Sequence, residues 1–338
     1  MLKRPNILVL GSFVMDLTAT TKRVPNAGES VIGMKFTTAP GGKGANQAVQ
    51  CAKLGAHVTM VGRVGADAFG TIMMETAAAA GVDVSRVITD ERVPSGTALI
   101  LVEVNEEGVQ NRITICPGAN SAMTVEDIAW LKEEIGDYDM LMMQFELPME
   151  VVETAAKWAR AAGVPVMVNP APAAPIPATL LTYTDYLSPN ESEAASISNH
   201  PLRVGPDGVD KDDVVAAAEI FREKGVKHLI ITLGENGSVI TGEDGLHFIP
   251  CVKMERVVDP TAAGDSFVAS FCTGVCAGLP QREALALASH ASAIAVSRMG
   301  AMPSLPTISE VQALMIERNY RGFDPKELDA LKRIRGEL

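Results

Sequence analysis

Met140-Leu141-Met142-Met143-Gln144, followed by Met149–Ala162 and then by Pro165-Val166-Met167-Val168-Asn169, reads as strand, helix, strand. The rhythm extends outward from there. Upstream, Asn6–Gly11 is a short apolar run ending in glycine, as a buried parallel strand is. Lys43–Leu54 then reads as a helix, His57–Arg63 as a strand, and Ala68–Ala80 as an Ala-rich helix closed by Gly81. Downstream, Asp212–Lys224 reads as a helix and His228–Leu233 as a strand. Strands alternating with helices of about 10–15 residues predict an α/β fold, a central and mostly parallel sheet with helices on both faces.

Two stretches break the alternation. Val31–Thr38 is strand-like, and so are Thr97–Val104 and Arg112–Cys116, which no helix separates. Asn105-Glu106-Glu107-Gly108 between the last two is a hairpin turn signal. These segments flank the richest glycine motif of the chain. They predict a small β-sheet lid, formed by about 13–40 and 95–117, beside a site that must exclude water. Residues 1–320 are expected to form one unit with this lid, with one helix continuing past Glu310 and 321–338 a charged, peripheral tail.

The 338 residues are 47% hydrophobic and 21% charged, enough apolar material for a sizeable core. A net charge of −12, with no run of like charges, argues against nucleic acid as a partner. An acidic chain that handles phosphates must concentrate positive potential locally. Five scattered cysteines, never in a CxxC pair, fit free thiols in a reducing cytoplasm. Met1–Met15 has a basic start and an apolar stretch, but Pro5, Asn6, Gly11 and Asp16 interrupt it, so a buried first strand is expected rather than a signal peptide. No stretch is long enough to span a bilayer, and no membrane partner is expected. The sixteen methionines read as core filler, and none of the five histidines has a metal-ligand spacing.

Two familiar nucleotide motifs are missing: GxxxxGK followed by Ser or Thr, and GxGxxG after the first strand. Any phosphate site must be built differently. Asp259-Pro260-Thr261-Ala262-Ala263-Gly264-Asp265-Ser266-Phe267 precedes a long helix running to about Ala277. Ala262, Ala263 and Gly264 have almost no side chain, so their amides can approach a ligand, and a helix start makes them an anion hole. Asp265 stands at its mouth, either as the acceptor of a proton from an attacking hydroxyl or merely as a helix cap. Pro40-Gly41-Gly42-Lys43-Gly44-Ala45-Asn46 opens a second helix, where paired glycines expose backbone and Lys43 and Asn46 supply donors. Its bland alternative is a flexible turn with a solvated lysine.

With both motifs, the chain resembles the ribokinase family of carbohydrate kinases over roughly residues 5–318. Further matches are Gly11-Ser12 and Asp16, Gln144-Phe145-Glu146, Asn169-Pro170-Ala171-Pro172, Asn190-Glu191-Ser192-Glu193, Thr232-Leu233-Gly234-Glu235-Asn236-Gly237 and Gly300-Ala301-Met302-Pro303-Ser304. The resemblance implies transfer of the γ-phosphoryl group of ATP to a sugar hydroxyl, with ribose to ribose 5-phosphate the expected reaction. It makes Asp265 the general base and Ala262–Gly264 the anion hole. Asp16, Gly42, Lys43, Asn46 and Glu146 are then expected to hold the sugar. Asn190 and Glu193 resemble an NxxE pair acting on Mg²⁺ and the phosphates through water. Thr232, Gly234 and Gly237 are expected along the nucleotide, with Ser289 near the adenine. Asp259 and Ser304, with carbonyls of Thr261, Ala295, Arg298 and Gly300, match a monovalent-cation loop for K⁺. A homodimer through the lid is expected.

Each position has a local alternative: Asp16 a turn cap, Glu146 a solvated strand end, Asn190 and Glu193 an ordinary helix start, Thr232 a strand running into a turn. One departure stands out, since the family often has Asn where this chain has Val14, which bears on ribose preference. A sibling kinase for another sugar or a nucleoside, or a non-catalytic sugar sensor, are the rival functions.

Overall fold

The computed structural model describes residues 2–105, 108–205, 208–242 and 245–332. Glu106 and Glu107, the tip of the predicted hairpin, and 333–338 of the predicted tail lie outside the described residues. The chain opens with β1 (Asn6–Leu10), β2 (Val14–Thr21), β3 (Lys35–Gly41), α1 (Lys43–Lys53), β4 (His57–Gly65), α2 (Ala68–Ala79) and β5 (Val82–Asp90). The hairpin strands β6 (Gly96–Asn105) and β7 (Gly108–Cys116) follow, then short helical turns ending in α3 (Leu131–Glu134). The middle of the chain is β8 (Met140–Gln144), α4 (Met149–Ala162), β9 (Val166–Asn169), α5 (Ala178–Tyr183), β10 (Tyr186–Leu187) and α6 (Glu191–Ser198). A small hairpin of β11 (Val204–Gly205) and β12 (Gly208–Val209) leads to α7 (Lys211–Glu223) and β13 (His228–Thr232). The last elements are β14 (Ser238–Gly242), β15 (Gly245–Ile249), α8 (Ala263–Ala277), α9 (Gln281–Val296) and α10 (Ile308–Glu317).

Nine strands form the main sheet in the order β15-β14-β13-β10-β9-β8-β1-β4-β5, parallel from β13 to β5. The predicted α/β class and mostly parallel sheet are therefore correct. The antiparallel edge of β13, β14 and β15 is an addition. Alternation along β1 explains the two layers. Ile7 and Val9 point into the core under α1, α8, α9 and α10, while Leu8 and Leu10 point into the opposite core under α4 and α7. A strand covered on both faces must be apolar throughout, which is why β1 and β8 are nearly unbroken hydrophobic runs.

A second sheet, β3-β2-β6-β7, stands apart from the first. β2 pairs antiparallel with β3 and parallel with β6, and β6 and β7 form a hairpin. Here two expectations shift. The predicted strand Val31–Thr38 lies at Lys35–Gly41, paired with β2 from Thr20, opposite Lys35, to Val14, opposite Gly41. Met34 still donates its amide to the Thr20 carbonyl at 2.7 Å, but Ile32 is 96% exposed. The tail is likewise not peripheral up to 332. Pro325–Leu331 forms a 3₁₀ helix whose Leu328 and Leu331 are fully buried. Residues three apart share one side of a 3₁₀ helix, so a charged segment still presents an apolar edge to α10.

Candidate active site

The site lies where α1 and α8 start side by side at the carboxyl ends of the central strands, the ordinary location for ligands on such a sheet. Each start has a distinctive backbone. Gly42, the N-cap of α1, has φ 97°, and a Cβ there would sit 2.7 Å from the Val14 nitrogen and 2.8 Å from the Ser12 oxygen. The N-cap of α8 is Ala262, in the left-handed region at φ 59°.

Asp265 is the third residue of α8 and is 7% exposed. Its Oδ2 accepts from Asn46 Nδ2 at 2.9 Å and its Oδ1 from Gln47 Nε2 at 3.1 Å. Burial pushes this carboxyl above the ordinary aspartate range, while Lys43, Asn46 and Gln47 pull it down and Glu146 adds to the upward push. Lys43, at the first position of α1, is the opposing charge. Burial works against its proton, but Asp265, Glu146 and Glu193 outweigh it and hold its pKa above the ordinary lysine value.

Glu146, just past β8, accepts from the Ser12 hydroxyl and from the backbone nitrogen of Lys43 at 3.0 Å. It therefore ties β8 to the loop after β1 and to the α1 start. Asp16, on the lid strand β2, is raised to about 6, first by burial and then by Glu146 and Asp259. Its Oδ2 faces Gly41, 3.3 Å from where a Cβ would stand. Strand pairing puts Ala98 and Ile115 in register with Asp16 across the lid, so their side chains share its face. Asp16, Gly42, Lys43, Asn46, Glu146 and Asp265 thus form one group, with Glu193 coupled to it through Lys43.

The anion hole reads differently from the sequence expectation. Ala263 donates its amide to the Pro260 carbonyl at 3.1 Å. The second and third amides of α8, on Gly264 and Asp265, have no earlier turn of their own helix to bond to. A Cβ on Gly264 would meet nothing within 4 Å.

Asn190 and Glu193 form a capping box at α6: Asn190 Oδ1 accepts from the Glu193 nitrogen at 2.8 Å, and Glu193 Oε2 from the Asn190 nitrogen at 2.9 Å. Glu193 is 9% exposed, and burial raises its pKa despite the Asn190 amide and Lys43. Thr232 ends β13 in a parallel bridge to Asn190. Gly237 has φ 91°, and a Cβ there would collide with the Ile249 carbonyl at 2.1 Å, so the β13–β14 turn itself demands this glycine. At Gly234 the nearest atom is 3.8 Å away. Ser289 is buried within α9. Among the described residues no hydrogen bond joins Thr232, Gly234, Gly237 or Ser289 to the Asp265 group.

Asp259 accepts from the Thr261 nitrogen and the Gly300 nitrogen, both at 2.9 Å. Burial pushes its carboxyl up, but the Thr261 hydroxyl and these amides outweigh that and keep it below the usual range. The contact joins the loop before α8 to the loop after α9, where Ala295 accepts from the Arg298 nitrogen and the Ser304 hydroxyl bonds the Ala301 carbonyl at 2.8 Å. Oxygen donors of this kind, mostly carbonyls, suit a hard cation.

Gln47 was missed in the sequence. It is fully buried, and α1 turns Gln47 and Gln50 together toward α8, where the Ser266 hydroxyl donates to Gln50 Oε1 at 3.0 Å. Amides repeating three apart in an Ala-rich helix were the available signal.

The profile described as pfkB family carbohydrate kinase matches residues 4–308. The ribokinase of Schizosaccharomyces pombe is 39% identical over 313 residues, covering 90% of this chain and 96% of that protein. A deoxyribokinase of Salmonella typhi is 31% identical over 309 residues, covering 90% of this chain and 97% of that one. The solved structure of Arabidopsis thaliana ribokinase complexed with ribose and ATP superposes with a TM-score of 0.84 at 31% identity, over 92% of this chain and 99% of that chain.

Proposed function

The chain belongs to the pfkB family of carbohydrate kinases, and we propose that it phosphorylates ribose to ribose 5-phosphate from ATP, with Asp265 as the base. The observation that carries this reading is a buried carboxylate at the third position of a helix, gripped on both oxygens, beside a glycine that faces open space. Phosphoryl transfer asks a protein mainly for position and for charge stabilisation. Asp265 takes the proton of the acceptor hydroxyl. The Gly264 and Asp265 amides and the α8 dipole receive charge from the transferring group, joined by Ala262 and by Ala263 if its bond to Pro260 is released.

Asp16, Lys43, Asn46 and Glu146 hold the sugar, with the backbone at Gly42 beside them. Asn46 Oδ1 is buried without a partner, as an acceptor awaiting a hydroxyl would be. Thr232, Gly234, Gly237 and Ser289 lie along the nucleotide, and Asn190 and Glu193 act at its phosphates and Mg²⁺. A capping box uses one Glu193 oxygen, which leaves the other for waters around the metal; Mg²⁺ keeps several of these and supplies charge neutralisation. K⁺ binds between the loops joined by Asp259 and Gly300, held by Asp259, Ser304 and the carbonyls of Thr261, Ala295, Arg298 and Gly300. Two chains pair through their lids, where Val109, Ile113 and Ile115 of β7 are 69%, 53% and 47% exposed. No helix among the described residues is long and apolar enough to cross a membrane, and all five cysteines are free thiols, in keeping with a cytoplasmic place of work.

Coupled ADP release across ribose, deoxyribose, fructose and nucleosides tests the reading. Ribose is expected to give the highest kcat/KM, and a tenfold preference for any other acceptor overturns the sugar assignment. Val14, two residues before Asp16 on the same face of β2, makes deoxyribose the informative rival. Replacing K⁺ by Na⁺ is expected to lower the rate, and an unchanged rate removes the cation site.

A further inference from the structure

Behind Asp265 lies a directed chain of buried amides. Asn169 Nδ2 donates to the Ser188 carbonyl at 2.8 Å, and Asn169 Oδ1 accepts from Gln47 Nε2 at 3.1 Å. The same nitrogen donates to Asp265 Oδ1, and Gln47 Oε1 accepts from Gln144 Nε2 at 2.7 Å. Gln47, Gln144 and Asn169 are 0%, 1% and 8% exposed. The Gln47 amide has one workable orientation. Inverted, its oxygen would face two acceptor oxygens and its nitrogen would face another donor, leaving buried groups unpaired.

The fold makes room for this arrangement. A Cβ on Gly11 would stand 2.3 Å from Gln144 Oε1, so only glycine at the end of β1 lets that amide lie where it does. The chain runs from a backbone carbonyl after β10, through β9 and α1, to the carboxylate on α8, with β8 bracing it from the side. The sheet itself therefore sets the direction of Gln47.

We infer that Gln47 is a positioning residue of the phosphoryl transfer, one that fixes the plane of the Asp265 carboxylate and keeps it ionised in a buried place. The inference rests on Asp265 being the base. Asn46 holds one oxygen and Gln47 the other, so the carboxylate is held against rotation. A buried carboxylate without such donors holds a proton and takes none. The charged groups that face Asp265 are Lys43 on α1 and Glu146 after β8, with Glu193 of α6 acting on Lys43 and Glu146 acting in turn on Asp16 of β2. Around Oδ1, Gln47 is the neutral donor that offsets burial.

The test uses Gln47→Glu, which keeps the shape and replaces the donor with an acceptor, and Gln47→Leu, which removes it. Two readouts are taken: the acid limb of the kcat–pH profile, and the carboxyl carbon-13 titration of Asp265, assigned by its loss in Asp265→Asn. Losing a donor to a charged oxygen should raise both by about one pH unit in Gln47→Leu, and the added carboxylate by more in Gln47→Glu. Sugar and nucleotide KM should stay within about twofold, since no substrate contact is removed. Gln144→Met, a small change in a methionine-rich strand, frees the far side of Gln47 and should give a smaller shift of the same sign. Unmoved limbs and an unmoved carboxyl titration in folded variants overturn the inference while leaving Asp265 as the base. An active Asp265→Asn overturns the base assignment instead.

Discussion

The starts of α1 and α8 look alike in sequence, each a cluster of glycine and alanine ahead of a helix, yet their glycines answer to different demands. At α1 the protein fills the space: a Cβ on Gly42 would lie 2.7 Å from the Val14 nitrogen, and one on Gly44 would lie 2.5 Å from the Ser12 nitrogen. At α8, Gly264 has an ordinary negative φ and nothing within 4 Å of a Cβ. The fold explains Gly42 and Gly44. It gives no reason for Gly264, so that reason is sought in what binds beside it. One start is packed against the loop after β1 and the start of β2, and the other is open, where the proposed cradle lies.

The largest effect expected is at the residue both starts share. Asp265 belongs to α8 but is held by Asn46 and Gln47 of α1. Asp265→Asn should keep the fold and nucleotide affinity and lower kcat by about 10²–10⁴-fold, the usual span of a general base. Steady-state rates with a nucleotide-binding measurement check this. A paired experiment then separates the two starts directly. Gly264→Ala should melt no lower than wild type, and up to about 1 kcal/mol more stable from helix propensity, while losing roughly 100-fold in kcat. Gly44→Ala should do the reverse in kind, costing about 1–3 kcal/mol of stability through contact with backbone that cannot move aside. Thermal unfolding beside activity decides. If Gly264→Ala is as active as wild type, the cradle is not one.

The same contrast shows what was legible in the sequence. Met149–Ala162 has the ends it was given, and β1, β8 and α1 fall within a residue or two, because their signals are local: apolar runs, helical period and glycine stops. Elements that need a partner were displaced or missed. β3 is fixed by its pairing with β2, and β14 and β15 by each other, and neither fact is local. In the site, Lys43 and Asp265 stood out as charges beside glycines, and Glu146 as an acid at the end of an apolar strand, its role given by the family resemblance. Gln47 did not, since a polar residue in a helix ordinarily faces water, and only the packing of α8 and the sheet around α1 buries it. The start of α8 was readable as a helix start, but not the loan of the Ala263 amide to Pro260.

Charge separates the two starts as well. The α1 side carries Asp16, Glu146 and the cation Lys43, whereas the α8 start carries the single carboxylate of Asp265 beside its amides. Asp16 has a folded pKa of about 6 against an ordinary 3.8, from burial first and then from Glu146 and Asp259. Its raised value means that the folded protein binds the proton more tightly than the unfolded chain. Stability from this group is therefore fully present below about 4 and is lost as pH rises through about 6. Asp16→Asn should match wild type in melting at pH 4 and exceed it at pH 8, by about 1–2 kcal/mol after allowing for partial exposure. Its sugar KM should rise at the same time. A stability difference that does not change between pH 4 and pH 8 contradicts the assigned burial of this charge.

The smallest effect comes from two helices that start with the same device. Asn190 and Glu193 form a capping box at α6, and Thr307 and Glu310 form one at α10. Glu193 is nearly buried and couples to Lys43, whereas the Glu310 side chain is 41% exposed and pairs with Arg298. Asn190→Ala and Thr307→Ala each remove one cap acceptor, so each should cost about 1 kcal/mol. Only Asn190→Ala should also raise the KM for ATP, because losing the bond to the Glu193 amide loosens the helix start that holds the charge facing Lys43. Equal KM values in the two variants, at equal loss of stability, would reduce the α6 start to a cap of the α10 kind and confine the cradle to α8.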